Sequence, residues 1–116
     1  MNRSDVVLVH IPFVGSPGGK VRPALVIQND GLNGALRETI IAEITSNLAN
    51  VARPHQVLVE IATPAASGSG LLANSAIRCQ RLHTVAQADI RRTIGSLTPA
   101  LMTEVDAALK SALGIR

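Results

Sequence analysis

The stretch "TPALMTEVDAALKSALG" (Thr98–Gly114) decides the fold class, because here the apolar spacing changes period. Leu101, Val105, Ala108, Leu109 and Ala112 fall on one helical face. Thr98 fits the N-cap, Pro99 the first helical position and Gly114 the C-terminal stop. The spacing predicts one C-terminal helix.

Working back from that helix, the chain reads as short strands. "DVVLVHIPF" (Asp5–Phe13) is rich in β-branched residues and reads as the first. "VGSPGGKVR" follows as a loop, punctuated by its glycines and proline. "PALVIQ" (Pro23–Gln28) is a second strand, in which Pro23 is tolerated only as the first residue or on an edge. "NDGLNG" reads as a turn cluster. "ETIIAEITS" (Glu38–Ser46) and "QVLVEI" (Gln56–Ile61) are the third and fourth strands. "TPAASGSG" (Thr63–Gly70) reads as a mobile loop of small residues. "SAIRCQRL" (Ser75–Leu82) is a fifth strand, "VAQAD" one helical turn, and "RRTIGSL" (Arg91–Leu97) a short sixth strand. The pattern predicts a mainly β fold with one C-terminal helix (α+β). The sheet is small and strongly curved, or a partial barrel, with the helix packed on it. Repeats, linkers and a second domain are not apparent, so residues 1–116 read as one domain.

Composition narrows the class. Hydrophobic residues make up 47 % of the 116, and Phe13 is the only aromatic, so the core must be aliphatic. Charged residues are 16 %, against about 25 % in ordinary soluble domains, which suggests surface hidden in a homodimer. The net charge of +3 is compatible with a polyanionic partner and equally with an ordinary solvated surface. Cys79, the only cysteine, lies between apolar residues and reads as a small buried hydrophobe. A lone cysteine, no signal peptide and no apolar run near the roughly 20 residues of a membrane span point to the cytoplasm.

Metal and nucleotide chemistry find no support. His10, His55 and His83 are far apart, the acids form no ligand-spaced cluster, and there is no CxxC, HExxH or Walker-type loop. No metal and no cofactor is expected. The segment "GGKVR" holds Lys20 and Arg22, which suit either a solvated hairpin loop or the wall of a groove for a nucleic-acid backbone. The third strand ends in the polar run Thr45-Ser46-Asn47. In the fifth, alternation puts Ile77 and Cys79 on one face and Arg78 and Gln80 on the other. These polar positions fit a cleft or simply a strand's solvated face.

Taken in order, "RSDVVLVHIPF", "GSPGGKVRPALVIQND", "IIAEITSNLA", "HQVLVEI", "SAIRCQRLHTV" and "LTPALMTEVDAALKSALG" resemble the MazF/PemK (Kid) toxins of type II toxin–antitoxin systems, from about Ser4 to Gly114. The resemblance implies a small SH3-like β-barrel of the CcdB/PemK toxin type, dimeric, with a C-terminal helix. It implies a metal-independent, sequence-selective endoribonuclease acting on single-stranded RNA. In this family the 2′-hydroxyl attacks the adjacent phosphate, leaving a 2′,3′-cyclic phosphate and a 5′-hydroxyl. The cognate antitoxin fills the RNA groove with its C-terminal segment. An alternative within the same fold is a CcdB-like toxin that binds a protein such as gyrase. Another is a catalytically weakened homologue that only binds an antitoxin.

By that resemblance Arg22 matches the arginine of the "RP" motif, Thr45 the threonine closing the "ITS" strand, and Arg78 the arginine of the "VVRCD" segment. All three are catalytic candidates, with Lys20, Ser46, Gln80 and His83 as substrate-binding candidates. The chain departs from the family at Gln80, where the Kid branch has an aspartate proposed as the base. It departs also at Ser16, where the family has a histidine, and at His83, where it has arginine. RNA cleavage by the 2′-hydroxyl needs a proton acceptor, charge stabilisation at phosphorus and a proton for the leaving oxygen. Planar guanidinium forks suit the second task, so Arg22 and Arg78 are assigned to it, with a hydroxyl hydrogen bond from Thr45. His83 is the expected base, because imidazole changes charge near neutral pH. Without a stacking platform of aromatics, recognition must use arginine planes, backbone groups and pocket shape.

Overall fold

Strand alternation sorts the side chains of this protein onto two faces. The computed structural model describes residues Met1–Arg116. It runs β1 (Asp5–Pro12), β2 (Gly19–Val26), α1 (Asp30–Ala35), β3 (Glu38–Thr45), β4 (Gln56–Val59), β5 (Ser75–Ala86), β6 (Ile90–Ser96) and α2 (Pro99–Leu113). One curled sheet of six strands has the order β4-β5-β3-β2-β1-β6, with every pairing antiparallel. Val6, Leu25, Ala42, Ile44 and Ile77 face α2 and pack with its Leu101, Met102, Val105 and Ala108. The opposite face carries Val7, Val9, Ile11, Ala24, Val26 and Ile41, closed over by Val85 and Ile90. Both clusters are aliphatic, as the lone aromatic requires.

The helix ends as the sequence predicts. Thr98 accepts from the Leu101 N–H at 3.4 Å, and Gly114 is left-handed at φ 69°, donating to the Lys110 carbonyl. Met102 joins the buried face beyond the expected positions.

Several boundaries differ from the sequence reading. The second strand starts at Gly19, because "GKVR" pairs with β1 from Pro12↔Gly19 onward. Lys20 and Arg22 therefore sit on a strand and not in a loop. Gly19 is needed there, since a Cβ would run into the Ile11 carbonyl and the His10 ring. "NDGLNG" forms the short helix α1, capped by the Asn29 side chain accepting from Gly31 N–H at 2.7 Å. A buried polar network holds it, with Gln28 and Thr39 both donating to Asn33 Oδ1 at 2.9 and 2.7 Å. β4 stops at Val59, and β5 continues through Ala86, leaving only Gln87–Asp89 as a helical turn.

The loop expected to be mobile is tied down. It contains a 3₁₀ turn at Pro64–Ala66, Thr98 Oγ1 donates to the Ala65 carbonyl at 2.7 Å, and the Ser96 N–H donates to Gly68 at 2.9 Å. Gly95 permits this approach, since a Cβ would meet the backbone of Gly68 and Ser69.

Two irregularities position the site. The β2–β3 ladder stops at Ala24↔Glu43. Ile27 donates its N–H to Ile40 of the β3 side at 3.0 Å. By alternation position 23 turns the same way, where Pro23 has no N–H to give. Beyond that point β2 pairs only with β1, and β3 only with β5. The second irregularity lies in β5. Ala42 and Glu43 are adjacent, yet their partners are Leu82 and Arg78. Cys79, Gln80 and Arg81 are thus three extra residues on β5, an odd number that inverts its alternation.

Two stability measurements test this packing. Thr98→Ala removes both the cap and the bond to Ala65, and lowers unfolding free energy by about 1–2 kcal/mol in urea, whereas Thr98→Ser retains most of it. Burial pushes the Cys79 thiol up from 9.0 to about 11. The unfolded chain then loses this proton at lower pH than the native chain, so stability falls as pH rises through that window. The urea midpoint drops between pH 8.5 and 10.5, and Cys79→Ala reduces that drop. Iodoacetamide labels the thiol in urea but not in the native state.

Candidate active site

Where β2 and β3 part, a groove of about 470 Å³ opens. Continuing the register Ala24↔Glu43 by two residues would pair Arg22 with Thr45. The two residues instead both line this groove, together with Lys20 and Ser46. Leu71 and Leu72 of the tethered loop and Arg92 of β6 complete the lining.

Two smaller hollows adjoin it. One, of about 50 Å³, lies among Thr45, Asn47, Asn50, Gln56 and Arg78. The other, of about 100 Å³, is bounded by Arg22, Glu43, Arg78, Arg81 and the Phe13–Val14 turn. Arg22, Thr45 and Arg78 each line two of the three concavities, and every pair of them shares one. The structure therefore brings together residues that lie on three different strands. Alternation explains their common face: Arg22 follows Ala24 and Val26, and Thr45 follows Ile41 and Glu43. One face is sealed apolar core at one end and open polar surface at the other.

The available hydrogen-bonding groups define what this surface can do. Arg22 and Arg78 are half-buried, and neither bonds a protein acceptor nor lies within 4.0 Å of a carboxylate. Both guanidiniums are free to engage an anion. The Thr45 hydroxyl oxygen accepts from the Asn47 N–H at 3.1 Å, which fixes it and leaves its own proton to donate outward. Asn47 is itself held by the Ala49 N–H at 3.0 Å. Unengaged donors lining adjoining concavities suit the non-bridging oxygens of a phosphate.

The other two sequence candidates sit differently. Gln80, within the irregular part of β5, is exposed and lines none of the three concavities. His83 lines none either. Its Nε2 lies 2.7 Å from Oε2 of Glu43, and its side chain is 17 % exposed. Glu43 and Arg92 were missed by the sequence reading. Glu43's signal was a carboxylate inside the apolar run "IIAEIT", on the same alternation face as Thr45. Phe13, the lone aromatic, also reaches the site, 42 % exposed. No three His, Cys, Asp or Glu side chains gather as metal ligands. No helix is long and apolar enough to cross a membrane.

Similar proteins carry the same architecture. A relative from Bacillus subtilis, endoribonuclease EndoA, is 32 % identical over 116 residues, covering 99 % of this chain and 96 % of its own. Endoribonuclease MazF6 of Mycobacterium tuberculosis is 34 % identical over 105 residues, 90 % of this chain and 88 % of its own. Among solved structures, a mycobacterial endoribonuclease in complex with its cognate antitoxin superposes with a TM-score of 0.79 at 21 % identity, over 100 % of this chain and 97 % of that one. The M. tuberculosis toxin MazF-mt6 gives 0.78 at 20 % identity, over 97 % and 98 %. A family described as the PemK-like, MazF-like toxin of type II toxin–antitoxin systems matches residues 2–113, and the chain belongs to that family.

Proposed function

We propose that this protein is the toxin of a type II toxin–antitoxin pair, a metal-independent endoribonuclease that cuts single-stranded RNA at a short sequence. The observation that carries this reading is the meeting of Arg22, Thr45 and Arg78 around one forked strand pair, with both guanidiniums and the threonine proton unengaged. In this reading the 2′-hydroxyl attacks the neighbouring phosphorus. Arg22 and Arg78 stabilise the extra negative charge, and Thr45 donates to a non-bridging oxygen. The products are a 2′,3′-cyclic phosphate and a 5′-hydroxyl.

Lys20, Ser46 and Arg92 hold the flanking strand along the groove, whereas Gln80 and His83 lie outside it and take no direct part in this reading. The mixture of leucines and cations in the groove also suits the C-terminal segment of an antitoxin, which would exclude RNA by occupying the same space. The names of the relatives support this, since several are endoribonucleases and one was solved with its cognate antitoxin. We further read residues 1–116 as one toxin domain that works in the cytoplasm as a homodimer.

The test is cleavage of mixed-sequence single-stranded RNA in EDTA. Native protein is expected to cut at a short motif and leave cyclic phosphate ends, identified by mass spectrometry. Arg22→Ala, Arg78→Ala and Thr45→Val each lower the rate by about 10²–10³, and Thr45→Ser retains most of it. A native protein that leaves RNA intact but stalls gyrase overturns the nuclease reading in favour of a protein-binding toxin.

A further inference from the structure

Resting on that reading, we infer that the Glu43 carboxylate is the general base of this site, and that His83 positions it from behind. The irregularity in β5 makes the arrangement. Glu43 faces Arg78 in the ladder, and Ile41, the next residue on the same face of β3, faces His83. In an uninterrupted ladder that partner would be Gln80. The three extra residues carry Gln80 out to solvent and bring His83 to Glu43's side.

Glu43 is nearly buried, at 7 % exposure, and is the only acidic residue lining any of the three concavities. Its protein partners are on one oxygen alone: Nε2 of His83 at 2.7 Å and Nε of Arg81 at 3.9 Å, both to Oε2. Oε1 has no protein partner. The structure leaves no fully buried polar side-chain atom unpaired, so Oε1 keeps access to solvent, and the hollow that Glu43 lines is shared with Arg22 and Arg78. A carboxylate oxygen there lies beside the groups that would grip the phosphate. His83 lines none of the three concavities, and its Nε2 is held by Glu43.

In the reaction, the proton of the 2′-hydroxyl passes to Oε1 of Glu43 as the O2′–P bond forms and the P–O5′ bond breaks. The leaving 5′-oxygen takes a proton from solvent water, and the resulting hydroxide removes the proton from Glu43. Neutral His83 donates Nε2–H to Oε2, which fixes the rotamer and leaves Oε1 basic. The charged groups facing Glu43 are His83, Arg81 and Arg78 from β5 and Arg22 from β2.

The experiment is the pH–rate profile of RNA cleavage by native protein, Glu43→Gln and His83→Gln, with thermal denaturation of each to establish folding. Glu43→Gln keeps the shape of the side chain. It is expected to lose about 10²–10⁴ in rate and the one-proton rise of rate with pH. His83→Gln retains measurable cleavage but alters the pH dependence of the rate, whereas a purely structural role would lower the rate alike at every pH. Folded Glu43→Gln that cleaves within threefold of native, with the native pH profile, overturns the role of Glu43 while leaving the nuclease reading intact. No cleavage by native protein overturns both.

Discussion

Pro23 is the residue on which the site's geometry depends. Antiparallel strands stay together only while each inward N–H finds a carbonyl, and a proline turned toward its neighbour has none to offer. Here that missing donor faces β3, and the β2–β3 ladder ends one residue away, at Ala24↔Glu43. Each strand then follows its other neighbour, β2 keeping to β1 and β3 to β5. The groove is a gap in the hydrogen bonding of the sheet itself, and needs no inserted domain or long loop. It also fixes what can stand there, because the positions just beyond the fork, Arg22 and Thr45, are held on paired strands. Strand-borne side chains lose less freedom when they bind than loop-borne ones do, which favours a pre-aimed donor over a searching one.

The irregularity in β5 acts on the other wall. An even insertion would have left alternation unchanged, whereas three residues invert it. Arg78 and His83 thereby point to the same side although they are five positions apart, an odd step that regular alternation would send to opposite faces. The inversion also serves the core, since Cys79, the first of the extra residues, and Leu82 just after them both pack in the cluster that faces α2. Glu43 depends on this arrangement. A carboxylate at that burial is costly unless paired, and His83 is the partner that β5 delivers. One hydrogen bond thus makes the charge tolerable in the sheet and settles which of its oxygens remains available.

Much of this was legible in the residues and some was not. The C-terminal helix could be read because its period, cap, proline and glycine all agree. The strands could be read from their β-branched runs. Arg22, Thr45 and Arg78 were found through the resemblance and not through periodicity, which left them as ordinary polar positions. The short helix α1 was missed because Asn33, Gln28 and Thr39 stabilise it, contacts that form only once the chain has folded. Alternation placed Gln80 beside Arg78, correctly for a regular strand, but an offset of three residues has no local signature in "RCQRLHT". Glu43 stood in plain view as the acid in an apolar strand. Its meaning required knowing that His83, forty residues later, would lie against it.

The balance of charge follows from the same construction. The chain carries a net charge of only +3, yet Lys20, Arg22, Arg78 and Arg92 line the connected concavities without a carboxylate partner. Of the remaining arginines, Arg3 is paired with Asp106 near α2, away from the groove. Four unpaired cations around these recesses make the local potential more positive than the net charge alone suggests. Like charges held together oppose folding, and Glu43 is the only acid there to offset them. Replacing one of these arginines with a neutral residue therefore removes repulsion as well as a donor. The site accepts a less stable arrangement in exchange for groups left free to bind, as functional sites commonly do.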